Sequence, residues 1–475
     1  MGPKGLTVLL RDDSGTTIAT KDGVTVSGAV HPDDPVERMG AELIRDAARK
    51  TAEQAGDGTS TCTVIAAAMC AQAERLITAG TSQAVLRREL PIACGRVAEA
   101  LTALATPCTT FEDLTSVAMI ASNGDASIAT PTAEAVWTAG QTGRITLEDV
   151  RAGVTHLEVA DGLLVNAELV SNHFSNVNGR IAAASDEALV IVSRMRLQTF
   201  DRMMDTFKLA AERKCALVLL FSEYEQAAFQ ALVSNRQKAG INVFACKLHR
   251  VTHDEVADIA AAIGAEPFDP DGTVAAVPGA IKRFYADRTS TSMVPSDPTR
   301  AATVAARLHN AADAAHHVRD RDALLQRAAA VAAKHCVVRV AAPTDAEAIE
   351  RKHRAEDAIA ACRAALAHGL INGGGRALID AARAAKLDDL TRETASIVLA
   401  GAEQPLRTIM LNAGRSFDWF ASATAASGTY DANADRIVQS APWLVDPLAV
   451  TKHAFENAAS VCRTFVALSS VIYQR

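Results

Sequence analysis

Ala55-Gly56-Asp57-Gly58-Thr59-Ser60-Thr61 sets one carboxylate between two glycines and follows it with three hydroxyl side chains. The apolar run from Cys62 to Ala73 reads as the opening of a helix, so this turn feeds a helix N-terminus. Unpaired amides and the positive end of the helix dipole there suit an anion such as phosphate. Asp57 would repel a bare phosphate. Mg²⁺ between the two resolves the conflict, because it takes hard oxygen ligands and shares its shell with nucleotide phosphates. Thr59, Ser60 and Thr61 then either cap the helix or donate to phosphate oxygens. An N-capped helix after a tight turn is the competing reading. A second candidate ligand set, His249 and His253 at i, i+4 beside Asp254 and Glu255, has no evident third ligand group.

Around that turn the pattern is helical from Pro35 to about Ala105, broken at 55–61 and at Ala79-Gly80. Before it, Thr7–Leu10, Thr16–Thr20 and Val24-Thr25-Val26 read as strands, with Asp22-Gly23 as a hairpin turn. Two more helices are expected over 110–140. The texture then changes. Ile145–Glu148, Thr155–Val159, Leu189–Val192 and Ala216–Phe221 read as strands, and 199–213, 223–238 and 252–263 as helices, which gives an α/β block to about residue 285. A polar loop over 289–299 precedes helices at 300–315 and 320–334 and a strand at Cys336–Val340. Helices dominate the rest, interrupted by Asn372–Gly375, Ser427–Thr429 and Pro442–Pro447. Both helical blocks can form one domain into which the α/β block is inserted.

A chain of 475 residues exceeds one core, so two or three domains are expected. With 49% apolar but only 4% aromatic residues, and many alanines, its helices must pack closely through small side chains. The net charge of −7 gives no global attraction to nucleic acid or to an anionic membrane. No apolar run approaches the roughly 20 residues of a membrane span, and Met1–Gly5 lacks a signal-peptide core. Nine cysteines without a Cys-x-x-Cys pair suit reduced thiols and a cytoplasmic location. The absence of Gly-x-x-x-x-Gly-Lys-[Ser/Thr] and Gly-x-Gly-x-x-Gly argues against the commonest phosphate-handling metabolic enzymes.

Several separated segments resemble, in order, a group I chaperonin of the GroEL family. They are Gly2–Gly5, Thr20–Val26, Met39-Gly40-Ala41, Ala55–Thr61, Ala355–Ala358, Gly373–Gly375, Val445–Pro447 and Asn457–Ser460. The resemblance implies a multidomain α and α/β subunit with three domains. A mainly helical equatorial domain (1–103 with 368–475) would bind ATP, a small intermediate domain (104–160 with 336–367) would act as a hinge, and an inserted α/β apical domain (161–335) would bind substrate proteins and a lid co-chaperonin. Asp57 resembles the Mg²⁺-binding aspartate, with Gly58, Thr59, Ser60 and Thr61 at the phosphates. Gly2, Pro3 and Lys21 match the first nucleotide loop, Gly374 the glycine loop near the ribose, and Asp446 the acceptor of the sugar hydroxyls. Asp431 stands at the base, and Asp22 and Asp357 match the catalytic carboxylates beside the γ-phosphate. Leu169, Val170, Phe174, Met204, Phe207, Phe229 and Val233 match the apolar groove for non-native polypeptide and co-chaperonin. Met204/Phe207 and Phe229/Val233 each share a helix face, although an ordinary core has the same spacing.

These positions imply an ATP- and Mg²⁺-dependent folding chamber, with K⁺, in rings of seven subunits that pair with a GroES-type co-chaperonin. The alternative is a paralogue that binds ATP or unfolded protein without productive cycling, as a holdase or scaffold. The chain starts where the family has already placed a strand and a helix, and it ends without the family's Gly-Met tail. Asp431-Ala432-Asn433 replaces an Asn-Ala-Ala, Asn172-His173 a Pro-aromatic pair, and Ser234 an apolar residue. The family's Pro-Gly-Phe-Gly-Asp loop is missing around Leu248–Thr252. Lid pairing is therefore expected to have drifted further than ATP binding.

Overall fold

A computed structural model of the chain describes residues 1–11, 17–20, 23–140, 143–151, 153–177, 181–239, 242–272, 274–315, 317–416, 428–438 and 441–472. Its helices are, in order, α1 (Gly23–Gly28), α2 (Pro35–Ala55), α3 (Thr59–Thr78), α4 (Gln83–Ala103), α5 (Phe111–Ala121), α6 (Ala126–Ala139), α7 (Met204–Arg213) and α8 (Gln226–Ala239). They continue as α9 (His253–Ile263), α10 (Pro298–Asp313), α11 (Val318–Val331), α12 (Asp345–His368), α13 (Arg376–Ala384), α14 (Arg392–Asn412) and α15 (Leu448–Ala467). Two compact units result. One comprises Met1–Gln141, Leu147–Leu157 and Val338–Arg475, and the other Thr142–Thr146 and Glu158–Val337.

In the first unit α3 is the central helix, lying against α2, α14 and α15. Cys62, Ile65 and Met69 on its inner face join Leu86, Leu90, Val97, Leu378, Ile397, Val398 and Phe455 in one core. Small residues set the spacing: a Cβ on Gly401 of α14 would stand 2.5 Å from Met69 Cγ. Helix ends are closed by side chains. Asp34 accepts from the first amides of α2, and Thr110 with Asp113 forms a capping box on α5. α5, α6 and α12, expected in a hinge domain, belong to this unit and pack on one another.

The second unit is built on strands of a nine-stranded mixed sheet, six of which stand in the order Thr291–Pro295, Gly279–Ala286, Ala183–Val192, Ala216–Phe221, Val243–Leu248, Ala167–Leu169. Ala183–Val192, Ala216–Phe221 and Val243–Leu248 run parallel, with Val190 opposite Val218 and Leu219 opposite Ala245. α7 and α8 are the crossovers between them, as parallel neighbours require. Ala216–Phe221 is buried throughout, which explains its unbroken apolar run. Asp258 is buried in α9, where Arg307 and Arg327 each donate to it at 2.7 Å.

Two elements differ from expectation. Gly23–Gly28 is a short helix, not a strand, and it packs against α2 and α3. Tertiary contact there overrides the β-branched pattern of Val24-Thr25-Val26. Thr291–Pro295 is a fully buried strand within the expected loop. Its polar residues are satisfied inside: Thr291 Oγ1 donates to Ala167 O at 2.9 Å, and Ser292 Oγ lies 3.2 Å from His335 Nδ1. Polarity hid the strand because a buried hydroxyl with a partner costs little. Among the described residues no helix is long and apolar enough to cross a membrane.

Candidate functional site

The Gly56–Gly58 turn leaves α2 and enters α3 through two left-handed residues, Gly56 at φ 75° and Gly58 at φ 93°. A side chain is excluded at both for steric reasons as well. A Cβ on Gly56 would collide with that of Ala360 on α12, and one on Gly58 would stand 2.9 Å from Val450 Cγ1 on α15. The turn is thus wedged between two helices, with Asp57 half-buried between its glycines. Gly58 N donates to Asp57 Oδ1 at 2.5 Å. Among the described residues no side chain caps α3: Thr59 is buried, and Ser60 and Thr61 are half-buried in the first turn. Gly23 lies against Thr59 Oγ1 and Ser60 Oγ, close enough to leave no room for a side chain.

The second wall comes from the other end of the sequence. Leu370–Asn372 pairs antiparallel with Val445–Pro447, Ile371 standing opposite Asp446. Gly373 N donates to Leu444 O at 2.8 Å, and the turn then enters α13 with Gly375 as its N-cap. The amides of Gly374 and Gly375 donate to the Asp446 carboxylate. Burial, together with the charge of Asp57, still raises its pKa to about 7 despite those bonds. Asp57 and Asp446 therefore lie close enough to repel. A hard cation held by Asp57 would relieve that repulsion. Mg²⁺ fits, since it needs only one or two carboxylates when phosphate and water oxygens complete its shell.

α14 holds both nucleotide-loop candidates. Gly375 approaches Pro405 and Leu406, Gly2 approaches Ile409, and Asn412 Nδ2 donates to Met1 O at 2.8 Å. Gly2 and Pro3 are thereby brought within one helical turn of the Gly373–Gly375 loop. Gly374 also faces Thr429 and the carbonyl of Tyr430. Asp431 follows there and accepts from Asn433 N at 2.9 Å and Ala434 N at 3.1 Å, so one of its oxygens closes its own turn. Asp357 is half-buried on α12, one turn before Ala360 and hence one turn from Gly56. Lys21 and Asp22 lie outside the described residues.

Sequence reasoning missed the layer beneath. Asn457 Nδ2 donates to Thr51 Oγ1 and Gln54 Oε1, both at 3.0 Å, and Thr51 Cγ2 reaches the space under Gly58. Asn457 belongs to a motif that carried the resemblance, but no chemistry flagged it as a support for the turn. His249 and His253 do not form a ligand set. His249 precedes α9 and pairs with Glu168 at 2.9 Å, and no group of three or more metal-ligating side chains exists among the described residues.

In the second unit the groove candidates divide. Leu169, Phe174 and Phe207 are buried core, Phe207 lying edge to face with Phe200 at 5.9 Å. Val170, Phe229 and Val233 are half-buried on that core, and Met204 is 47% exposed. Of the seven positions Met204 alone is well exposed.

A model of the TCP-1/cpn60 chaperonin family matches residues 1–475. The chain belongs to that family. Its mixed helical and α/β architecture is that of a chaperonin subunit, and a chaperone role comes with the family.

Proposed function

We propose that this chaperonin is of group I type, binds Mg-ATP between the Gly56–Gly58 turn, the Gly373–Gly375 turn and Asp446, and hydrolyses it to drive the binding and release of non-native polypeptide. The observation that carries the reading is the pair Asp57 and Asp446. Two distant chain segments bring like charges together at a helix N-terminus, an arrangement that makes sense when a cation and a phosphate join it. Mg²⁺ would supply charge neutralisation at the phosphates, held by Asp57. The α3 amides and the hydroxyls of Thr59, Ser60 and Thr61 donate to phosphate oxygens. Gly2, Pro3, Lys21 and Gly374 shape the cleft through backbone, Asp446 accepts from the sugar hydroxyls, and Asp431 borders the base. Asp357, with Asp22, orients the attacking water, one of the positioning contributions on which phosphoryl transfer relies. K⁺ assists, subunits assemble in rings of seven in the cytoplasm, and a GroES-type lid closes the chamber.

ATP binding and steady-state hydrolysis in wild type, Asp57→Ala and Asp357→Ala test this. Asp57→Ala should lose Mg²⁺-dependent binding, whereas Asp357→Ala should keep binding and turn over roughly a hundredfold slower. Equal hydrolysis by wild type and Asp357→Ala would remove the water-orienting role. Tight binding without turnover in wild type would favour the non-cycling holdase or scaffold, and a stable monomer in sedimentation would sink the ring.

A further inference from the structure

Four cysteines pack in the core shared by α3, α4 and α15: Cys62 and Cys70 on α3, Cys94 on α4 and Cys462 on α15. The Cys462 thiol donates a hydrogen bond to the Cys70 sulfur. Helix register brings the two together. Gly58, just before α3, abuts Val450 near the start of α15, and twelve residues further along each segment Cys70 meets Cys462. The two helices thus run side by side in the same direction. Cys462 is fully buried, whereas Cys70 is half-buried on the flank of α3, next to the exposed Ala67 and Ala71. The pair belongs to no metal-ligating group among the described residues.

The two sulfurs differ in acidity as well as in access. The hydrogen bond from Cys462 holds the Cys70 pKa below the ordinary thiol value, against the opposing effect of burial. Cys462 is pushed up, first by donating that bond and then by burial. Burial raises Cys62, and it raises Cys94 to about 12. A thiolate, not a thiol, is the nucleophile toward an oxidant. In this core the sulfur that ionises most readily is therefore also the one nearest solvent, and a second thiol already touches it. The nucleotide site uses neither.

We infer that Cys70 and Cys462 form an oxidisable dithiol, with Cys70 as the attacking sulfur, Cys462 as the resolving one and a small hydroperoxide as the oxidant. The Cys70 thiolate attacks one oxygen of hydrogen peroxide; an S–O bond forms, the O–O bond breaks, and the departing hydroxide takes up the proton that Cys70 released. Cys70 is then a sulfenic acid. The Cys462 sulfur attacks it, the S–S bond forms as the S–O bond breaks, and the Cys462 proton leaves with the oxygen as water. Two electrons pass from the sulfurs to the peroxide, which ends as two waters. The new bond would staple α3 to α15 about 18 Å along the helices from the Gly58 turn.

The test treats the full-length protein with hydrogen peroxide, alkylates the remaining thiols after unfolding and identifies the peptides by mass. The expected product is one cross-linked pair, Cys70 with Cys462, two hydrogens lighter than the reduced peptides, while the other seven of the nine cysteines are alkylated. Cys70 should react roughly tenfold faster than Cys62 or Cys94. In Cys462→Ala the sulfenic acid has no resolving partner, so Cys70 should carry the adduct of dimedone, a sulfenic-acid reagent. In Cys70→Ala, Cys462 should remain a free thiol. Full alkylation of both sulfurs in peroxide-treated wild type overturns the inference, and that result needs no variant to fold. A disulfide between any other pair overturns it too, as does dimedone labelling of Cys462 in Cys70→Ala.

Discussion

In the first unit the residues proposed to meet a nucleotide lie on or beside glycine turns wedged in place by neighbouring elements that leave no room for a Cβ. In the second unit the residues expected to meet a ligand are side chains, and three of seven are committed to the core. The difference follows from what each ligand asks for. A phosphate needs amides and hydroxyls in a fixed geometry, so rigidity under the turns helps. A varied polypeptide needs apolar surface that repacks, and only partly committed side chains can provide that.

Three experiments break or sharpen that contrast. The largest effect is expected from Phe174→Ala, which should cost about 3–5 kcal/mol in denaturant unfolding of the second unit, because Phe174 is fully buried against Phe229. Met204→Ser should change stability by less than about 0.5 kcal/mol while weakening peptide binding. Similar stability effects for the two would erase the distinction between core and surface. Gly56→Val comes next, at roughly 3 kcal/mol from strain at positive φ together with collision with Ala360, and with loss of ATP binding. Retained ATP affinity would show that the turn tolerates movement.

The third experiment concerns Glu89, buried on α4. It accepts from Thr391 N at 2.9 Å, Thr391 Oγ1 at 2.6 Å and Thr394 Oγ1 at 3.0 Å, and so closes the N-terminus of α14. The Thr391 hydroxyl and amide hold its pKa down, to about 2. A lowered folded-state value means the stabilisation is complete above the ordinary carboxylate range and is lost as pH falls toward 2. Glu89→Gln should cost about 1–2 kcal/mol at pH 7 and flatten unfolding free energy between pH 5 and pH 2. An unchanged pH profile would show that Glu89 carries no such load.

Glycine spacing, helix periodicity and the buried apolar strands were legible because each is local. The Asp57 turn announced itself by type and order alone, α2 runs between its Asp34 cap and Gly56, and α3 starts directly after Gly58. What escaped was decided by distant partners. Thr291 and Ser292 look like loop until Ala167 and His335 meet them across a sheet. Val24-Thr25-Val26 looks like strand until its segment packs on α2 and α3. Asn457 carries meaning only through Thr51 and Gln54, which the fold brings to it from the other end of the chain.

α14 joins two loops of the proposed nucleotide cleft to the helices that support it: Glu89 of α4 at its start, Met69 of α3 at Gly401, the Gly373–Gly375 loop at Pro405 and Leu406, and the first loop at Ile409 and Asn412. Its 21 residues measure about 30 Å, and each residue advances about 1.5 Å with a turn of about 100°. The cleft is therefore indexed in helix residues, like marks on a ruler. Removing one residue between Gly401 and Pro405 would swing both loops about a quarter-turn away from the α3 N-terminus, so α14 is a segment whose length is as constrained as its composition.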